Sequence, residues 1–174
     1  MSIATRRSRL SMQTTGRTVR TVAAVGAAAF GLVALSACEK PTPLATVTVG
    51  SESVHSEAAC YNDGKALSPK DLRHCISAKS DKKLTVGEGQ RISVGVDPDV
   101  AESGWAMVVN GQGTMSEASK DTYRSFDFDQ IFAPQQSPTG AAAAPKTAQV
   151  AIIEVGKGGK AKGAWQFTLN RKSS

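Results

Sequence analysis

The sequence predicts an antiparallel β-sandwich with one short helix near residues 69–76. Three observations lead there. Short runs in which apolar or β-branched residues alternate with polar ones recur from residue 44 almost to the end of the chain. Turn formers separate these runs, among them Gly87-Glu88-Gly89, Asp97-Pro98-Asp99 and Asn110-Gly111. One segment alone shows helical spacing behind a capping residue. Many short strands, each apolar on one side, bury those sides best as two packed sheets.

The elements follow in order. Leu44-Ala45-Thr46-Val47-Thr48-Val49 alternates and is rich in β-branched residues, Gly50-Ser51 breaks it, and an extended pattern resumes from Ser53 to Cys60. Asn62-Asp63-Gly64 is a turn signal. The helix has Ser68 as N-cap, Pro69 at its first position, Asp71 in its first turn, and Leu72, Cys75 and Ile76 at helical spacing. Strands are expected over 83–86, 90–96, 105–110, 122–128, 149–155 and 164–169. In the fourth of these, Phe126 and Phe128 alternate with Asp127 and Asp129, as in a half-buried strand. Trp105, Trp165 and Phe167 sit within strand patterns and are expected to fill the core. Residues 134–146, rich in proline and alanine, lack the apolar surface to order themselves and are expected to form a flexible loop. The glycine-lysine segment 156–163 reads as a hairpin loop. Its match to a GxGxxA pattern lacks the helix, strand and acidic residue that a dinucleotide site needs downstream.

The chain of 174 residues carries a formal charge of +6, but the charge is uneven. Residues 1–37 hold five arginines and no acid, leaving 16 basic against 15 acidic residues beyond them. Val22 to Leu35 is an apolar run of 14 residues, short of the roughly 20 that span a bilayer, and reads as the hydrophobic region of a signal peptide. Directly behind it, Leu35-Ser36-Ala37-Cys38 resembles the lipobox of bacterial lipoproteins. That resemblance implies a diacylglyceryl group on Cys38, removal of residues 1–37, and a protein held at the outer face of the cell membrane. Two acyl chains hold stably where one does so only marginally. Thr5-Arg6-Arg7-Ser8-Arg9-Leu10 carries twin arginines, but Arg9 stands where a twin-arginine signal usually has an apolar residue, which favours the general secretory route. Residues 38–43, with Pro41 and Pro43, read as a short extended tether, and 44–174 as a single domain. The whole resembles small cell-surface lipoproteins of actinobacteria. Leu84 to Val94, followed by Trp105, resembles the opening of immunoglobulin-like extracellular domains, with the difference that no cysteine pair is placed to bridge the two sheets.

Setting Cys38 aside as the lipidated residue leaves Cys60 and Cys75. An even pair in an exported chain points to a disulfide. The competing reading is a metal site drawn from Cys60, Cys75, His74 and His55, for which the usual ligand spacings are missing.

Familiar catalytic motifs are absent from the sequence, and no cofactor or enzymatic activity is expected. Asp97, Asp99 and Glu102 offer oxygens suited to calcium, but a solvated turn is the better reading, since Asp and Pro favour turns for backbone reasons alone. Residues 146–174 hold six basic residues and one acid, without the interleaved aromatics of a nucleic-acid platform. Within them, Lys157, Lys160 and Lys162 are candidates for contact with anionic lipid head groups or an anionic wall polymer. The expected role is a lipid-anchored, non-catalytic binding or structural module of the cell envelope, with an envelope protein or wall polymer as partner. The alternative is an accessory or substrate-binding lipoprotein for a small solute or metal ion.

Overall fold

Alternation places Ala45, Val47 and Val49 of strand β1 (Leu44–Val49) on a buried face, and the same period runs through the strands that flank it. The computed structural model describes residues 41–134, 140 and 144–173. The expected leader, Cys38 and most of the expected loop at 134–146 lie outside them.

A hairpin joins β1 to β2 (Glu52–Glu57), with Val47 opposite Val54 and Gly50 in the left-handed region at φ 58°. On its other side β1 pairs antiparallel with β5 (Arg91–Val96), and β5 with β8 (Tyr123–Asp127), giving a sheet of order β2-β1-β5-β8. The second sheet has the order β3-β10-β9-β6-β7. It is built on two long strands, β9 (Thr147–Val155) and β10 (Ala161–Arg171), with β3 (Cys60–Tyr61), β6 (Trp105–Val109) and β7 (Gln112–Gly113). Between the sheets, Val47, Ile92 and Val94 meet Trp105, Met107, Ile152, Trp165, Phe167 and Leu169, all 1% exposed or less. The fold is thus a β-sandwich. Its division of strands, β5 with β8 in one sheet and β6, β9 and β10 in the other, is that of an immunoglobulin-like domain.

Two details differ from the sequence reading. Strand β4 (Lys83–Val86) runs parallel to β10, with Leu84 opposite Leu169, so the second sheet is not wholly antiparallel. β4 follows β3, which also pairs with β10, and reaches its place through the helix rather than by a hairpin, and nothing local to residues 83–86 signals that direction. Among the described residues, two further short α-helices accompany α1 (Pro69–Ser77). Helix α2 (Pro98–Ser103) occupies the expected turn at 97–99: proline sits at its first position, Val100 and Ala101 are buried, and Gly104 ends it at φ 101°. Helix α3 (Phe128–Phe132) replaces the end of the expected strand. The Gln130 side chain accepts the Asp127 N–H at 2.8 Å, closing a capping box, and Phe128, Ile131 and Phe132 turn inward at helical spacing. Asp127 and Asp129 therefore do not share a strand face. Asp127 instead pairs with Arg91 across β5 and β8 at 3.5 Å, both side chains being about two-thirds exposed.

Helix α1 begins where expected. Ser68 Oγ accepts the Asp71 N–H at 3.1 Å and donates to its carboxylate at 2.6 Å. The buried Cys75 of this helix is bonded to Cys60 of β3, with Cα atoms 5.9 Å apart.

Candidate functional site

One end of the sandwich gathers two groups singled out from the sequence, the acids at 97–102 and the lysines at 157–162. β1, β6 and β10 begin there and β5 and β9 end there. The chain enters this end under tight restraint: the Leu44 N–H donates to Asp97 Oδ2 at 2.8 Å, and the buried Trp165 indole N–H donates to the Pro43 carbonyl at 2.8 Å. A buried indole N–H requires an acceptor, and here the acceptor belongs to the expected tether. Helix α2 carries the chain from β5 across to β6, and the carbonyl of Gly104 behind it accepts the Val155 N–H of β9 at 2.7 Å.

Facing α2 is the turn between β9 and β10, closed by a bond from the Gly156 N–H to the Lys160 carbonyl at 2.8 Å. Gly158 and Gly159 both adopt φ 73°, which side-chain-bearing residues avoid. The register of β10 against β9 slips between Ala161 and Gly163, leaving Lys162 in a bulge. Its stem lies directly over Gly156, where an added Cβ would come within 2.5 Å of Lys162 Cε. The ammonium then reaches Ser103 Oγ at 3.1 Å and Glu154 Oε1 at 3.5 Å.

Glu154 is a charge inside the protein. Its side chain is 4% exposed, it stands opposite Trp105 on one side and Gly163 on the other, and its Oε2 has no hydrogen-bond partner. A carboxylate so placed requires a close countercharge, and Lys162 supplies it. Lys162 is thereby engaged with Glu154 and Ser103 while its side chain stays 27% exposed. Lys157 and Lys160 remain exposed on the turn. The acidic stretch and the lysine segment, read separately along the sequence, face each other across an open groove of about 520 Å³ that includes Asp99, Glu102, Lys120 and Lys157.

Among the described residues, the remaining candidates do not line this groove. The sulfurs of Cys60 and Cys75 are joined to each other, so the metal site considered from them with His74 and His55 does not form, and both histidines lie exposed on α1 and β2. Asp97 directs a carboxylate oxygen to the Leu44 N–H, and among the described residues no three His, Cys, Asp or Glu side chains converge as metal ligands. Trp105, Trp165 and Phe167 are buried in the core. Cys38 lies outside the described residues. Glu154 and Ser103 were not singled out from the sequence. A signal for Glu154 was present, since it is an acid within the apolar run Val150-Ala151-Ile152-Ile153-Glu154-Val155, where charge is tolerated only when paired. A scan against protein-family models and a search of curated proteins found no match to this chain.

Proposed function

We propose that the protein is a lipid-anchored lipoprotein of the cell envelope whose sandwich serves as a non-catalytic binding or structural module. The observation that carries this reading is the buried bond from Trp165 to the Pro43 carbonyl. It ties the domain to the fifth residue after Cys38, so a lipidated Cys38 would hold this end within about 17 Å of the bilayer at full extension. The burial of both tryptophans favours recognition at the surface over enclosure of a small solute, the alternative reading, because an enclosing pocket draws on such aromatics. Cys38→Ala is expected to abolish acyl labelling and to release the protein from the membrane fraction. Continued labelling or retention would refute the anchor.

With the tether at this end, Lys157 and Lys160 would lie on the side of the domain nearest the bilayer. Each basic residue near an anionic surface adds about 1 kcal/mol, and Asp99 and Glu102 across the groove offset part of that. The unlipidated protein should therefore associate with phosphatidylglycerol vesicles weakly and in a salt-sensitive manner. Replacing both lysines by alanine should lower that association severalfold in a sedimentation assay; an unchanged value would remove the turn from the proposed contact.

A further inference from the structure

The outward face of the sheet β2-β1-β5-β8 is polar, and its charges, Glu57 and the Arg91–Asp127 pair, flank two uncharged central rows. Across it, His55, Thr46, Gly95 and Tyr123 stand in one row, and Ser53, Thr48, Ser93 and Ser125 in the next. The second row is a ladder of hydroxyls. Thr48 Oγ1 and Ser53 Oγ are 3.0 Å apart, and Ser93 Oγ and Ser125 Oγ are 3.1 Å apart. Each of these hydroxyls both donates and accepts hydrogen bonds.

Tyr123 is the anomaly on this face. It is 58% exposed, whereas Trp105, Trp165 and Phe167 are buried. From the second row, the Ser93 hydroxyl first and then that of Ser125 favour the ionised form of its phenol. Together with the Arg91 charge these outweigh desolvation and hold the Tyr123 phenol below its ordinary range. Beside it Gly95 has no side chain, and a Cβ added there would only just touch the ring, 3.9 Å from Tyr123 Cδ2. The result is an exposed aromatic ring bordering a shallow trough floored by Gly95, with Thr46 and His55 beyond it.

We propose that this face binds an uncharged glycan. A pyranose ring presents a face of C–H groups with slight positive character, which suits the electron-rich face of an aromatic ring, and a rim of hydroxyls, which suits side chains able both to donate and to accept. A tyrosine side chain has few torsions to lose on binding, which lowers the cost of association. The near-neutral character of the two rows opposes a strongly charged ligand, and the flat, open shape suits a chain that lies along the sheet. This proposal goes beyond the anchor reading and does not depend on it, since the face belongs to the folded domain whatever the fate of Cys38.

The test is affinity electrophoresis of the full chain in gels containing neutral polysaccharides: a β-1,3-glucan, a β-1,4-glucan, an α-mannan and an arabinogalactan. At least one should retard the protein. Tyr123→Ala should weaken that retardation about tenfold, Tyr123→Phe should keep most of it, and Gly95→Val, which fills the trough, should weaken it with the ring intact. Near-ultraviolet circular dichroism of each variant checks that the core tryptophans remain packed. Spectrophotometric titration adds an independent reading: one phenol should ionise below the ordinary range, vanish in Tyr123→Phe, and move upward in Ser93→Ala. Retardation by none of the four glycans, or retardation that Tyr123→Ala leaves unchanged, would overturn the proposal. So would a protein partner captured on this face by a chain that no glycan retards.

Discussion

Replacing Lys162 by methionine is expected to destabilise the protein by about 3–5 kcal/mol, the usual cost of leaving a buried charge without its partner. The expectation rests on asymmetry within the pair. Lys162 is 27% exposed at its side chain and can turn to water, whereas Glu154 is 4% exposed and cannot. Methionine preserves the stem that covers Gly156 and removes the ammonium alone. In urea titrations the midpoint should fall with little change in slope. The double variant Lys162→Met, Glu154→Gln should recover most of the loss, because the carboxylate that needed a partner is gone. Gly156→Ala makes the same point from the backbone side, since its Cβ would displace the lysine stem from above and part Lys162 from Glu154. A Lys162→Met protein that unfolds at the wild-type midpoint would show that Glu154 is neutralised by other means.

Removing the disulfide should cost about 3 kcal/mol. Cys60 and Cys75 are 15 residues apart, and closing a loop of that size restricts the unfolded chain by roughly this amount. For a domain of this size the melting temperature should fall by roughly 10 °C in the Cys60→Ala, Cys75→Ala variant. The loss should also be local. β3 has two residues and pairs with β10 at Ala164 and Gly163 alone, while α1 has nine residues, too few to be stable by itself. The disulfide joins these two weak elements. Amide exchange should therefore accelerate first across residues 60–77, with β9 and β10 protected. Uniform acceleration across the sandwich would place the bond in the global core instead.

Much of this architecture is legible in local sequence. Strand β1 matches its alternating segment residue for residue, and the Ser68-Pro69 start of α1 is observed as read. These succeed because the instructions are complete within a few residues: a period of two for a strand, and a capping side chain for a helix. The missed helices had local signals as well. Asp97-Pro98 with Gly104 brackets α2, and Asp127 with Gln130 brackets α3. In α3 the alternation of Phe126 and Phe128 with two aspartates competed with the capping box. The box prevails because Ile131 and Phe132 join Phe128 in the core once the chain turns helical.

The candidate site was half legible. Lys157, Lys160 and Lys162 form one group along the chain, but a one-residue bulge separates their fates, sending Lys162 inward to Glu154 and leaving the other two on the turn. Register slips of this kind follow from the packing of both strands and leave no mark in either strand alone.

What the sequence determined by itself are the properties that depend on near neighbours: which residues of each strand face inward, where α1 begins, and, by the count of cysteines, that Cys60 and Cys75 are partners. Tertiary structure alone decided what depends on residues distant in the chain. It set β4 parallel to β10, brought Glu154 against Lys162, tied Pro43 to Trp165, and put Tyr123 beside Gly95, one row from Ser93 and Ser125. The physical reason is that the faces of a strand follow from its own period of two, whereas its neighbours follow from the register in which the whole sandwich closes over its core.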